Sequence, residues 1–172
     1  MTGQVRGPPY TLSMLDDLDR RLLLLLDEDP AIGVLGASRR LGVARGTVQS
    51  RLDRLRERGV IASTAPTLSP AALGYPVTAF CTLSIAQRNG HRRIVEHLRA
   101  IPEVLEIQTI TGDGDLFVRV VARDNADLQR VIDLVVEDAQ VTRSSTVIAL
   151  AELLPHRTRA LLEATGAPRV SR

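Results

Sequence analysis

The chain has 172 residues, 44% hydrophobic, 24% charged and 2% aromatic, which excludes a fibrous or wholly disordered protein and gives length for one domain or two small ones. No apolar run approaches the roughly 20 residues of a membrane-spanning helix. Met1 to Ser13 lack the apolar stretch of a secretory signal, so the chain reads as cytoplasmic. A single cysteine, Cys81, and three histidines (His91, His97, His156) at spacings foreign to zinc sites exclude a disulfide scaffold and a zinc finger.

All 22 basic residues are arginine, set against 20 acids, so total charge is only +2 and its distribution matters more. Arg39 to Arg58 holds seven arginines against Asp53 and Glu57, a local +5, whereas Val77 to Pro155 holds eight arginines against eleven acids, a local −3. That asymmetry points to two tasks in one chain, with a polyanion as partner of the first.

Residues 1–14 carry Gly3, Gly7, Pro8 and Pro9 and read as a flexible leader. From Leu15 the period is helical: Leu15, Leu18, Leu22, Leu25 and Leu26 share a face, acids fill the first turn, and Asp29-Pro30 ends the helix. A second helix is predicted over Val34 to Leu41, with Leu35 and Leu41 inward and Gly42 as a left-handed cap. In a third, ended by Gly59, Val48, Leu52 and Leu55 form the apolar stripe. Two short helices joined at a glycine turn, the second with an arginine-rich polar side, form a helix-turn-helix over residues 15–62. The candidate DNA contacts are Arg45, Thr47, Gln49, Ser50, Arg51 and Arg54. Arginine can donate two hydrogen bonds to guanine, glutamine can pair with adenine, and the hydroxyls suit phosphate or base.

A linker, residues 63–76, is marked by Pro66, Pro70 and Gly74. Beyond it the period becomes 2: Val77, Ala79, Cys81, Leu83 and Ile85 alternate with Thr78, Phe80, Thr82 and Ser84. A helix over His91 to Ile101 follows, then a hairpin of Val104 to Thr111 and Leu116 to Ala122 turning at Gly112-Asp113-Gly114-Asp115, a helix from Asp124 to Asp138, and a last strand over Thr146 to Leu154. This β-α-β-β-α-β order over 77–155 is the ferredoxin-like unit, and the fold class is α+β. One sheet face stays free of helices and carries Phe80 and Phe117, so a homodimer is the physical expectation. The tail, 156–172, has four arginines against Glu163 and a short apolar run at Leu161-Leu162, which suits either a short helix or an arm on DNA or a neighbouring subunit.

The chain resembles the Lrp/AsnC family of feast/famine transcriptional regulators over residues 15–155. The resemblance rests on Leu15-Asp16-Asp17-Leu18-Asp19-Arg20, Arg40-Leu41-Gly42-Val43, Arg51-Leu52-Asp53-Arg54-Leu55, Arg58-Gly59-Val60-Ile61, Leu68-Ser69-Pro70, Leu73-Gly74-Tyr75 and Thr111-Gly112-Asp113-Gly114-Asp115, whose order and spacing together are specific. It implies a winged helix-turn-helix followed by a ligand-sensing RAM domain that dimerises through its sheet and assembles further, to tetramers or octamers. The implied effector is an amino acid or related metabolite, held by Thr111, Gly112, Asp113 and Asp115 with Ser144 and Thr146 on the last strand. The chemistry fits: glycine permits close backbone approach, backbone N–H groups hold a carboxylate, and aspartate pairs with an ammonium group. The chain departs from the family pattern at Ala44, where a serine normally caps the recognition helix, and at Gly36, Gly46, Gly114 and Pro30-Ala31.

The resulting expectation is a sequence-specific DNA-binding regulator responding to an amino acid, without a metal or other cofactor. An architectural DNA-binding protein with no effector is the alternative. A small enzyme on the ferredoxin-like half is disfavoured, since neither a nucleophile–base pair nor a phosphate-binding glycine loop stands at suggestive spacing. Cys81 and His97 read as a core residue and a solvated one respectively.

Overall fold

The computed structural model describes residues 15–86 and 91–165. The leader, 1–14, and the tail beyond 165 lie outside the described residues. The chain divides into two compact units, one of residues 15–65 with 155–165, the other of 66–154.

The first unit opens with α1 (Asp17–Glu28). Asp16 caps it, its side chain accepting the Asp19 N–H at 2.8 Å, and Asp17 and Asp19 complement the helix dipole. The helix α2 (Val34–Leu41) ends at Gly42, whose φ of 70° is the left-handed conformation that glycine tolerates. The helix α3 (Arg45–Glu57) ends at Arg58, followed by Gly59 at φ 69°. Leu22 and Leu25 of α1, Ala37 of α2, and Val48, Leu52 and Leu55 of α3 form one buried cluster, as the 3.6-residue period requires. Leu35 is an exception to the sequence reading, being exposed while Ala37 and Ser38 are buried. Positions 35 and 41 lie six residues apart, so they share no helix face; the inward stripe is instead Val34, Ala37 and Leu41 at i, i+3 and i+7. An irregular segment in the wing position follows α3.

After the second unit the chain contributes one more helix to the first, α6 (Arg159–Ala164). The Arg159 guanidinium bonds Asp27 of α1 at 3.0 Å and Glu163 within α6 at 2.8 Å. The described part of the tail thus forms a short helix.

The second unit runs β1 (Val77–Ile85), α4 (Arg92–Arg99), β2 (Val104–Thr109), β3 (Leu116–Ala122), α5 (Asn125–Val136) and β4 (Val141–Ile148). Its antiparallel sheet has the order β2-β3-β1-β4, the ferredoxin-like topology. Ala79, Cys81, Leu83 and Ile85 of β1 pack with Leu116, Val118 and Val120 of β3 under Ile94 and Leu98 of α4 and Leu128, Val131 and Val135 of α5.

Two expectations in this unit need correction. The last strand starts at Val141, five residues before the predicted Thr146, and stops at Ile148. Asp138 sets the early start: its side chain accepts the Gln140 N–H and its carbonyl the Val141 N–H, so the chain turns straight out of α5 into register with Ile85. The apolar run at Val147 to Leu154 drew the sequence reading too far along, and Leu150 and Leu153 are instead almost fully exposed. His97 is not simply solvated either, because its Nε2 hydrogen-bonds the Leu134 carbonyl at 2.8 Å and ties α4 to α5. Among the described residues no helix is long and apolar enough to cross a membrane.

Candidate functional site

The outer side of α3 is built by its own stripe: burying Val48, Leu52 and Leu55 leaves Arg45, Thr47, Gln49 and Ser50 exposed. Ala44 stands at the cap with extended geometry (φ −64°, ψ 147°) but supplies no side-chain acceptor. The six residues expected to touch DNA divide into three kinds. Arg45, Thr47 and Ser50 are exposed on the first turns of the helix. Gln49 donates to both carboxylate oxygens of Asp53, at 2.9 and 3.1 Å, one turn further on.

Arg51 and Arg54 point back to α1. Arg51 Nη1 donates to Asp19 Oδ1 at 2.9 Å and also to Asp16; Arg54 Nη2 bonds both Asp19 oxygens at 2.9 and 2.7 Å. The Asp19 carboxylate is almost fully buried, so this arginine pair supplies the countercharge that makes its burial tolerable. Asp16 is held below the usual carboxylate range chiefly by its bond from Arg51, with the Asp19 N–H adding to it. Arg51 and Arg54 therefore tie α3 to α1 through Asp19. The sequence reading passed over Arg39 and Arg58, which are exposed and, with Arg45, make no ion pair among the described residues. None of the three has an acid three or four residues away, but neither does the paired Arg51, so local spacing could not have singled them out.

In the second unit, β2 and β3 are joined by a tight loop in which Gly112 takes φ 112° and Thr111, Gly112 and Asp113 are exposed. Asp115 is tied inward: its N–H donates to the Leu83 carbonyl at 2.8 Å, and its side chain accepts the Ile85 N–H at 2.8 Å. It fastens the loop to the end of β1. A Cβ on Gly114 would collide with the Thr82 methyl and stand 3.2 Å from the Leu83 carbonyl oxygen, so a side chain where the loop crosses β1 would force its neighbours to shift. Ser144 lies opposite the same Leu83 and is exposed, which brings it and the loop to one end of β1. Thr146 lies further along, opposite Cys81, and its hydroxyl donates to the Cys81 sulfur at 3.4 Å. Burial pushes the Cys81 thiol up, as expected of a core residue. Among the described residues no group of three or more His, Cys, Asp or Glu side chains is placed to hold a metal ion.

Comparison with known proteins assigns both units. Residues 15–62 match a winged helix-turn-helix DNA-binding family, and residues 78–159 match the Lrp/AsnC ligand binding domain. The transcriptional regulator AldR of Mycolicibacterium smegmatis is 32% identical over 159 residues, 89% of this chain and 93% of its own. The chain belongs to the Lrp/AsnC family. The regulator FL11 of Pyrococcus furiosus is 30% identical over 137 residues, 80% of this chain and 90% of its own. A crystal structure of a transcriptional regulator of Neisseria meningitidis in complex with L-methionine superimposes with a TM-score of 0.74 at 25% identity, covering 84% of this chain and 95% of that one. This Lrp/AsnC protein is thus a DNA-binding transcriptional regulator with an N-terminal winged helix-turn-helix and a RAM domain.

Proposed function

We propose that this regulator changes its assembly or DNA affinity on binding an amino acid or a related small metabolite at the loop of residues 110–115. The observation that carries the proposal is the loop itself: Thr111, Gly112 and Asp113 present exposed backbone and one carboxylate with no partner among the described residues, next to Ser144. Free backbone N–H groups suit the ligand carboxylate and Asp113 its ammonium group, while Asp115 serves as the staple. The L-methionine carried by the Neisseria relative supports this ligand class. On DNA, Arg45, Thr47 and Ser50 form the reading surface, Arg39 and Arg58 add phosphate contacts, and Arg51 and Arg54 set the pose of α3. Two copies pair through the open face of the sheet, where Phe80 and Phe117 stack at 5.3 Å and Val147 is 59% exposed.

The test is a thermal-shift and calorimetric screen of the twenty amino acids on the full chain, with particle size measured in parallel. The expected result is one or a few ligands that raise the melting temperature and lose binding in Asp113→Ala. On the DNA side, Arg45→Ala should lower affinity and reduce the slope of log K against log salt by about 1. One observation favours the effector-independent alternative: one oxygen of the Asp115 carboxylate already accepts the Ile85 N–H, which leaves Asp113 as the loop acid with no partner among the described residues. Absence of heat with every amino acid, with DNA binding intact, would establish that alternative.

A further inference from the structure

Residues directly opposite one another in adjacent strands share a sheet face, so the register lays out the face that the helices leave open. One row across it reads Glu106, Arg119, Phe80 and Val147; the next reads Gln108, Phe117, Thr82 and Ser145. Arg119 stands between the phenylalanine pair and the β2 edge. Its Nε is buried and has no hydrogen-bond acceptor among the described residues. Glu106 is its direct cross-strand neighbour, yet the Glu106 carboxylate accepts from the Gln108 amide instead, and Arg119 makes no ion pair among the described residues. A buried donor without an acceptor is rare in folded proteins, and because Arg119 is only half-buried as a whole its unpaired charge remains open to a partner from outside. Arg143, opposite Ser84, adds a second cation to this face, and Glu106 is the acid among its strand-paired positions.

We propose that Arg119 is the charge lock between two copies of this chain, its guanidinium donating to the Glu106 carboxylate of the second copy. A two-fold axis repeats every contact, so one arginine and one glutamate per chain give two such pairs. The inference rests on the reading that the open face is the dimer interface, and it adds what selects the partner. An apolar patch alone would accept many exposed sheets; a half-buried arginine rejects any face that brings no acceptor to it.

The experiment is sedimentation equilibrium on the full-length chain and its variants, with circular dichroism confirming the fold. Arg119→Met leaves Glu106 without its partner and should raise the dimer Kd by roughly 100-fold, as should Glu106→Gln. Arg119→Glu and Glu106→Arg should each abolish self-association, whereas an equimolar mixture should form a heterodimer close to the parent in affinity, because every contact then joins opposite charges. The same reversals at the exposed helix pair Arg92 and Glu96 should give no heterodimer preference. Parent-like dimerisation by Arg119→Met, or a mixture of the reversed chains that stays monomeric, would overturn the lock while leaving the dimer in place. A parent chain that sediments as a monomer throughout would overturn the dimer interface and the lock together.

Discussion

Replacing Asp19 by asparagine keeps the shape of the side chain and removes its charge from beneath two guanidinium groups. In the parent, three hydrogen bonds, two from Arg54 and one from Arg51, end on this almost fully buried carboxylate. Removing one member of a fully buried pair costs about 3–5 kcal/mol. Here the arginine side chains are 23% and 42% exposed and Asp16 remains within reach of both, so the charges left behind are partly hydrated. The expected loss is about 2 kcal/mol, confined to the helical unit. For a small domain that corresponds to a fall in melting temperature of about 10 °C. The assay follows helicity of the full chain by circular dichroism on heating, with DNA affinity measured well below the transition. If Arg51 and Arg54 act by positioning α3, stability should fall while affinity in the folded range changes less than about threefold, under 0.7 kcal/mol. A variant destabilised by less than about 0.5 kcal/mol would refute the assignment of these arginines to Asp19.

Three further outcomes are expected. Ala44 already has cap geometry, and a Cβ on Gly46 would meet nothing within 4 Å, so Ala44→Ser and Gly46→Ala should each stabilise the helical unit by about 1 kcal/mol in urea titrations. Gly114→Ala should destabilise the RAM domain by about 1–3 kcal/mol through the collision with Thr82, and Thr82→Ser should recover part of the loss in the same denaturation assay. Arg123, donating from both its guanidinium and its backbone N–H, holds the Asp127 carboxyl well below the usual range. A lowered folded-state value means that this stabilisation is complete above the unfolded pKa of about 3.9 and is lost as pH falls below it, so Asp127→Asn should flatten the acid limb of a plot of urea midpoint against pH.

Periodicity made most of the scaffold legible. Val48, Leu52 and Leu55 at helical spacing, the alternation from Ala79 to Ile85, and Gly42 and Gly112 where left-handed backbone is needed all lie where local patterning places them. What escaped depends on partners distant along the chain. Nothing local links Arg51 or Arg54 to Asp19, and only tertiary packing reveals this acid 32 and 35 residues earlier. The Ile85 N–H that Asp115 accepts is likewise invisible from the loop residues alone, since it lies 30 residues away. The last strand was misplaced because its residues, Thr142 to Ser145, are polar and exposed at a sheet edge, while the apolar run after it carried the stronger signal. Gly36 departs from the family pattern, and a Cβ there would stand 2.8 Å from the Ile32 side chain, so it marks close packing.

The position of α6 bears on how the protein is made. The DNA-binding unit is discontinuous, its first piece ending at Ala65 and its last beginning at Pro155. During synthesis Asp27 emerges early and must wait for Arg159, with the whole RAM domain translated in between. A nascent chain can therefore fold its RAM domain before its DNA-binding head is complete, and a head severed at residue 65 would lack a rib that arrives only after that domain.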